Sequence, residues 1–342
     1  MAPGVTADLQ DAKRVVREFY AAIDGAEDTA LAPSMERHCA PDLLWRGCHP
    51  FGELRGPHLV AERFWRPLKA SLRPMRRRLD LFFAGRNEID GFASVWVASM
   101  GHLMGLFDAV WLGIPPTGRV AMLRYAAFHR VANGRIAETA MIFDVPHLMM
   151  QAGLRPFPPS TAAELVQPGP MTHEGLMFGP QDAAEGDRTL AAIDFMVGDV
   201  ATWKDPGQMS LTDELRCSWT EDMIWWGPGG IGATYTIERY AAQHSGPFRA
   251  AFADRRFNGH LCRMAEGRFG GFFGWPNLTL TPTGGFMGMP ATGRAGDMRV
   301  VDMYRREGDK LAENWVFIDL LHFWDQQGLD VLERMTELSA GR

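Results

Sequence analysis

Hydrophobic residues near the beginning of the chain recur at helical spacing. In the segment LQDAKRVVREFYAAI, Val15, Phe19 and Ala22 fall on one stripe, and this period predicts an amphipathic helix. Apolar strands follow further along, of which VAMLRYAAFHRV and RIAETAMIFD are the clearest. The tripeptide Ala-Asn-Gly separates these two strands. Because Asn and Gly tolerate positive φ, it predicts a β-hairpin.

The same order of elements is found twice. Between Gly113 and Leu154, 14 of 42 positions are identical to their partners between Gly288 and Leu329. A period this long is not that of a solenoid, so we interpret the repeat as two duplicated domains. Helices followed by antiparallel strands are typical of the α+β class. We predict a first domain at residues 1–155, a Pro/Gly-rich linker at 156–184 and a second domain at 185–342.

Each copy carries one ordered set of motifs. The order is Gly-x-Pro-x-Thr-Gly-Arg, a strand ended by Arg, a Gly turn, a Glu, a strand ended by Asp, and Gln-x-Gly-Leu. This pattern resembles the SnoaL-like polyketide cyclases, which belong to the superfamily named for nuclear transport factor two. The resemblance implies a curved antiparallel sheet around a deep apolar pocket, with helices that close the cone. It does not imply one activity, because this superfamily includes both enzymes and non-enzymatic binding proteins.

The resemblance also bears on assembly. Members of the family usually dimerise sheet to sheet. The two copies of this chain are therefore expected to form an internal pseudo-dimer, and further homo-oligomers stay open.

Composition narrows the classes of function. The net charge of −6 offers no basic excess to meet phosphates, which argues against nucleic-acid binding. No run of about 18 apolar residues is present, so we expect no membrane-spanning helix. The first residues lack the apolar core of a secretory signal, so a cytoplasmic protein is expected. The four cysteines form no Cys-x-x-Cys pair, and nucleotide-binding fingerprints are absent, so neither a metal nor a cofactor is expected.

Two aspartates, Asp144 and Asp319, end the last strand of the two copies. The resemblance to SnoaL-like cyclases implies that each is a general acid/base. A carboxylate at the mouth of an apolar pocket loses hydration, so its pKa rises and it can shuttle protons near neutral pH. The alternative is that each Asp caps the helix that follows. His147 and His322 come three residues later, where they either tune the carboxylate or pack at the domain seam.

Alternation along the last strand of the second copy groups several candidates for substrate binding. Glu313, Trp315, Phe317 and Asp319 fall on one face of this strand. If that face is the wall of the pocket, Asp319 lies beside two aromatic rings. The corresponding face of the first copy is smaller and less aromatic.

An arginine lies at matching positions of the penultimate strand in both copies. Arg124 and Arg299 would hold a carboxylate or enolate oxygen of the substrate. The alternative is a structural ion pair with Glu138 in the first copy and with Glu313 in the second.

Asp302 differs from the other candidates because its partner in the first copy is Ala127. A charge among apolar neighbours in only one copy indicates a function. Trp45 and Trp225 end an earlier strand at matching positions, and we include both as binding candidates. The many Trp and Met residues suit a pocket for a flat hydrophobic ligand, and ordinary core packing is the alternative.

One motif of the family is missing. Many members are expected to carry Thr-His-x-Gly before the Gly-Pro segment, but Phe107 and Pro282 stand where its His would be. His102 could take that place in the first copy, where a core position is the alternative. The partner of His102 in the second copy is Asn277.

We therefore expect a cofactor-independent enzyme that uses an Asp as general acid/base on a small hydrophobic carbonyl compound. The reaction would be an aldol-type cyclisation, an isomerisation or a dehydration. The second copy is the expected active one, because it keeps more aromatic and acidic residues. The alternative is a non-catalytic small-molecule-binding or scaffold protein with the same fold, and the sequence leaves that choice open.

Overall fold

The computed structural model describes residues 3–202 and 209–340. Two compact units divide the chain. The first unit draws its described residues from Met1–Pro156, Met171–Pro180 and Asp330–Arg342, and the second from Phe157–Pro170 and Gln181–Leu329. The predicted domain boundaries stay a proposal. Across the described residues, no helix combines the length and the apolar character needed to cross a membrane.

The helices are short apart from the one that opens each unit. In chain order they are α1 Pro3–Gly25, α2 Leu31–His38, α3 Pro57–Val60, α4 Arg66–Ser71, α5 Val145–Gln151, α6 Ala183–Thr202, α7 Leu211–Ser218, α8 Ile237–Tyr240, α9 Gly246–Ala251, α10 Leu320–Gln326 and α11 Val331–Ala340. One turn of π-helix joins α3 to α4 at Ala61–Trp65, and another joins α8 to α9 at Ala241–Ser245. Short 3₁₀ turns lie at Asp28–Ala30, Glu88–Asp90 and Phe286–Gly288.

The strands follow the first helices of each unit. They are β1 Cys39–Gly47, β2 Gly52–Arg55, β3 Leu72–Arg86, β4 Val95–Phe107, β5 Val120–Ala132, β6 Arg135–Phe143, β7 Trp219–Trp226, β8 Ala233–Tyr235, β9 Phe252–Phe257, β10 Cys262–Glu266, β11 Phe269–Pro282, β12 Gly296–Glu307 and β13 Lys310–Ile318. Val15 and Phe19 of α1 are buried, as the helical stripe predicts. The predicted hairpin joins β5 to β6, and Asn133 and Gly134 both have positive φ there.

Each unit contains one mixed sheet among its described strands. The first has the order β2-β1-β6-β5-β4-β3, and the second has the order β10-β11-β12-β13-β7-β8, with β9 also paired to β11. The expectation of a purely antiparallel sheet needs a correction, because β1 pairs with β6, and β7 with β13, in parallel. Each of these pairs joins the first long strand of a unit to its last. The intervening strands and helices supply the long crossover that parallel pairing requires. The α+β class is confirmed.

Candidate active site

A cavity of about 190 Å³ lies within the second unit. Strands β7, β11, β12 and β13 line it together with α6 and the helical segment from α8 to α9. Most of its lining is apolar. The polar side chains that the following paragraphs use are those of His244, His260, Asn277, Asp302, Tyr304 and Asn314.

Strand alternation decides which residues reach this cavity. Side chains on a strand point alternately to its two faces. On β12 the lining face carries Met298, Val300, Asp302 and Tyr304. The structure thus brings Asp302 together with the apolar neighbours that the sequence indicates.

The last strand presents the opposite face from the one considered in the sequence. Asn314, Val316 and Ile318 of β13 line the cavity, which corrects the face assignment. Trp315 and Phe317 therefore point away from it into the packed core, where Trp315 donates a hydrogen bond to the carbonyl oxygen of Pro168 at 3.2 Å.

Asp302 is a half-buried carboxyl group that lines the mostly apolar cavity. Burial raises the pKa of Asp302 to about 7, while hydrogen bonds from Asn314 and Tyr304 oppose that rise. The amide nitrogen of Asn314 donates to Asp302 Oδ1 at 3.1 Å and also to the carbonyl oxygen of Met303. The cause is loss of hydration, which disfavours the charged form. Asp302 can therefore take up and release a proton near neutral pH.

Aromatic rings form much of the remaining wall. The imidazole of His244 is stacked on Trp225 with the ring centroids 3.8 Å apart, and that of His260 is stacked on Phe272 at the same distance. Burial lowers the pKa of both histidines to about 3. Both imidazoles are therefore neutral at pH 7. Of the predicted binding residues, Trp225 and Asp302 both line this cavity.

Asn277 reaches the cavity because β11 departs from regular pairing. The register between β11 and β12 shifts between Gly274 and Leu278, so the intervening residues escape strict alternation. The side chain of Asn277 accepts a hydrogen bond from the backbone nitrogen of Val300 at 2.7 Å. Its amide nitrogen has no hydrogen-bond partner within residues 3–202 and 209–340.

Asp144 and Asp319 cap helices in the structure. The backbone nitrogen of His147 donates to Asp144 at 3.0 Å, and that of His322 donates to Asp319 at 3.3 Å. Both carboxylates are buried, and neither lines the cavity of about 190 Å³. This geometry agrees with the alternative in which each Asp caps the helix that follows it. The catalytic assignment of these residues stays a prediction.

The two arginines at matching positions of the repeat pair with these aspartates rather than with the glutamates considered in the sequence. Arg124 lies 3.8 Å from Asp144, and Arg299 lies 3.5 Å from Asp319. The guanidinium of Arg299 also lies over the ring of Trp275 at 4.1 Å.

The glutamates have other arginine partners. Glu313 pairs with Arg305 at 2.6 Å, and Glu138 pairs with Arg130 at 3.3 Å and also with Arg46. Both sets of pairs lie outside the lining of the cavity.

The two histidines that follow the capping aspartates lie in the first turn of α5 and α10. His147 Nδ1 lies 3.2 Å from the side-chain nitrogen of Gln151. The carbonyl oxygen of His322 accepts a hydrogen bond from Gln326 at 3.0 Å. Neither imidazole lines the cavity around Asp302.

The interior of the first unit is filled by side chains. Its corresponding space, which Trp45, Trp65 and His129 help to line, has a volume of about 10 Å³. The buried guanidinium of Arg77 lies 3.8 Å above the ring of Tyr20 and 5.5 Å from that of Trp65. Large side chains thus occupy the interior that stays open in the second unit.

The residues that the sequence reasoning missed carry a signal in the repeat. Tyr304 and Asn314 align with His129 and Thr139 of the first copy, just as Asp302, which the sequence did indicate, aligns with Ala127. These differences fall on the lining faces of two paired strands. Comparing the copies for differences, rather than identities, would have found them.

Within the described part of the chain, no group of three or more His, Cys, Asp or Glu side chains is arranged to hold a metal ion.

Family models match both halves of the chain. Residues 213–327 match the SnoaL-like polyketide cyclase family, and residues 16–139 match the SnoaL-like domain family. Among curated proteins, none matches the chain.

Three similar solved structures each cover less than half of this chain. IdmH from Streptomyces antibioticus, for which a polyketide cyclase role is suggested, is 22% identical, covers 41% of this chain and 97% of its own, and has a TM-score of 0.33. An NTF2-like protein from Burkholderia thailandensis E264 is 23% identical over 42% of this chain and 98% of its own, with a TM-score of 0.32. An LEH-like epoxide hydrolase from M. tuberculosis is 16% identical, covers 42% of this chain and 90% of its own, and has a TM-score of 0.29. Likeness at this level carries no conclusion about activity.

Proposed function

We propose, on the premise that this chain is a tandem SnoaL-like protein, that its second domain is an acid/base enzyme for a hydrophobic carbonyl compound. The observation that carries the proposal is Asp302, a carboxyl group with a pKa of about 7 in an otherwise largely apolar cavity. A group that titrates near neutrality serves as base and as acid in the same cycle. The reaction class is proton transfer at the carbon next to a carbonyl, which can lead to cyclisation, isomerisation or dehydration.

The proposed step needs no cofactor. The Asp302 carboxylate takes a proton from the carbon next to the carbonyl, so that the C–H bond breaks and an O–H bond forms on Asp302. The electron pair moves to the carbonyl oxygen and leaves an enolate. Asp302 then returns the proton to the same or another carbon, or to a leaving hydroxyl group. Atoms and electrons balance, since no oxidation occurs.

The neighbours of Asp302 support this role in different ways. Asn314 and Tyr304 hold the carboxylate in place by hydrogen bonds, and their donation keeps its pKa from rising further. The stacked pair of Trp225 and His244 offers flat surfaces to a ring-shaped ligand. The rest of the wall is mostly apolar but also carries Arg249 and Arg255, and its apolar surface strengthens electrostatic interactions inside the cavity.

In this proposal Asp144 and Asp319 cap helices, and the first domain is a structural partner with a filled interior. The acid/base roles predicted for Asp144, Asp319, His147 and His322 stay rival predictions, and the experiment below tests those of the two aspartates. An internal pseudo-dimer of the two domains and a cytoplasmic location also stay predictions.

The test uses cyclohexanone, 1-indanone and 1-tetralone, whose rings suit a cavity of about 190 Å³. Binding to the full chain is measured by isothermal titration calorimetry. Exchange of the hydrogens next to the carbonyl is followed by NMR in D₂O. Wild type should bind at least one ketone and accelerate its exchange. Asp302→Asn should lower the enzymatic rate by roughly 100-fold or more, the contribution of a positioned acid/base.

Asp319→Asn and Asp144→Asn are the matched controls, and they should exchange the bound ketone at nearly the wild-type rate. Loss of exchange in Asp319→Asn with full exchange in Asp302→Asn would transfer the role to Asp319. Binding without any catalysed exchange would favour the non-catalytic binding protein. Failure of all three ketones to bind would contradict the proposed ligand class.

A further inference from the structure

We infer that Asn277 donates a hydrogen bond to the carbonyl oxygen of the ligand and thereby selects ligands that carry such an oxygen. The inference rests on the proposed function of the cavity and adds to it a second polar group. Asp302 would move the proton, while Asn277 would hold the oxygen on which negative charge develops. Donors placed where charge develops contribute strongly to catalysis in dry sites.

The orientation of the Asn277 side chain is fixed by its backbone partner. Val300 presents a backbone N–H, which only an oxygen can accept, so the amide oxygen faces Val300 at 2.7 Å. The amide nitrogen must then point the other way. It carries two N–H groups, and no hydrogen-bond partner for it lies among the described residues.

A buried N–H donor without a hydrogen-bond partner is energetically unfavourable. Asn277 is 3% exposed, and leaving a buried donor unpaired costs about 1–3 kcal/mol. Nearly all buried polar groups in native proteins are paired, so an unpaired one requires a physical explanation. The cavity that Asn277 lines is the space from which a ligand oxygen can approach.

The spacing between Asn277 and Asp302 suits one ligand that touches both. The amide is anchored at Val300, two residues before Asp302 on the same face of β12. Two residues of a strand span about 7 Å. Two hydrogen bonds of about 3 Å each, joined by the short O–C–C unit of a ketone, bridge such a distance.

The first copy lacks both the Asn277 amide and the Asp302 carboxyl group. This shared absence is independent evidence that the two groups act together. Asp302 is replaced there by Ala127, and Asn277 by His102. The imidazole of His102 pairs with Asp80 at 3.1 Å instead of lining an open cavity. The donor and the acid/base thus occur together in the unit with the cavity and are both missing from the filled unit.

Gly274 holds Asn277 in this position. A Cβ atom on Gly274 would lie 2.6 Å from Cγ of Asn277, closer than real contacts allow. An alanine there would push the amide away from its present place. The same Cβ would lie 2.7 Å from the carbonyl oxygen of Gly259, so Gly274→Ala shifts both the Asn277 amide and the neighbouring backbone while leaving the chemistry of Asn277 unchanged.

The experiment compares 1-tetralone with tetralin, the hydrocarbon that lacks its oxygen. Binding of both to the full chain is measured by calorimetry, and the ratio of their affinities is the readout. Asn277→Asp keeps an oxygen for Val300 but loses the N–H donors. A neutral hydrogen bond contributes about 1 kcal/mol, so the preference for the ketone should fall roughly 3- to 10-fold. Gly274→Ala should lower the same ratio.

Asn133→Asp, at an exposed turn of the first unit, is the control and should leave the ratio unchanged. Thermal melts establish that each variant is folded. A merely structural role for Asn277 would weaken the ketone and the hydrocarbon equally, and an unchanged ratio in both Asn277→Asp and Gly274→Ala would overturn the inference.

The two proposals fail in different ways. If Asp302 is not the acid/base, the ketone preference still depends on Asn277 while exchange does not depend on Asp302. If Asn277 is not the donor, exchange still depends on Asp302, but the ratio of ketone to hydrocarbon affinity does not change in Asn277→Asp.

Discussion

The ionisation of Asp302 couples the stability of the second unit to pH. Its pKa is about 7 in the fold against an ordinary value of 3.8. Between these values the folded state binds the proton that the unfolded state has released. The stabilisation is fully present below pH 3.8 and is lost as the pH rises through 7. Asp302→Asn removes this titration and keeps an oxygen that can accept from Asn314.

The size of the effect follows from the two pKa values. Each pH unit between them corresponds to about 1.4 kcal/mol, so the full penalty of ionised Asp302 is about 4 kcal/mol. Part of it is already present at pH 5. The stability gained by Asp302→Asn over wild type should therefore grow by about 3 kcal/mol between pH 5 and pH 8.5. His244 and His260 titrate alike in both proteins and cancel in the comparison.

Labelling of the Cys262 thiol in urea reports on the second unit alone. Cys262 is buried there, whereas Cys217 is exposed and corrects for the pH dependence of the labelling chemistry. Cys39, buried in the first unit, should show no difference between the proteins. The control variant Asp309→Asn lies at an exposed turn and should behave as wild type. A gain of the same size at pH 5 and pH 8.5 would show that Asp302 ionises at its ordinary pKa.

Three further variants test the same structure. Asp319→Ala removes a helix cap and should cost about 0.5–2 kcal/mol of stability in the labelling assay, and loss of ketone binding would contradict capping. Glu313→Gln breaks the buried pair with Arg305 and should cost about 3–5 kcal/mol, and a cost below about 1 kcal/mol would refute that reading. Ala127→Asp places a carboxyl group in the filled first unit, so it should destabilise that unit, measured at Cys39, without raising the rate of ketone exchange. A second exchange activity would contradict the difference between the units.

The repeat and local patterns predicted much of the architecture. The identities at matching positions indicated two domains, and the Ala-Asn-Gly turn predicted the β5–β6 hairpin, because both central residues tolerate the positive φ that they adopt. The parallel pairing of β1 with β6 could not be predicted in this way. It joins strands that are far apart in the chain, and no local pattern encodes it.

The site was predicted less completely. Alternation separates Trp315 and Phe317 from Asn314 and Val316, but it does not say which set faces the cavity, since both are buried. That choice depends on how the whole sheet packs. Asn277 was outside the reach of alternation, because the register shift in β11 changes which side chains point inward. Asp302 was identified from the sequence because the matching residue in the first copy is Ala127 and not an acid.

The most direct measurement is the rate of deuterium exchange into the bound ketone as a function of pH. We predict that the wild-type rate rises with pH and levels off above about 7, the pKa of Asp302, because the carboxylate is the base. Asp302→Asn should lose this profile, and Asp319→Asn should keep it. A profile that survives in Asp302→Asn, or one that vanishes in Asp319→Asn, would contradict the assignment of the proton transfer to Asp302.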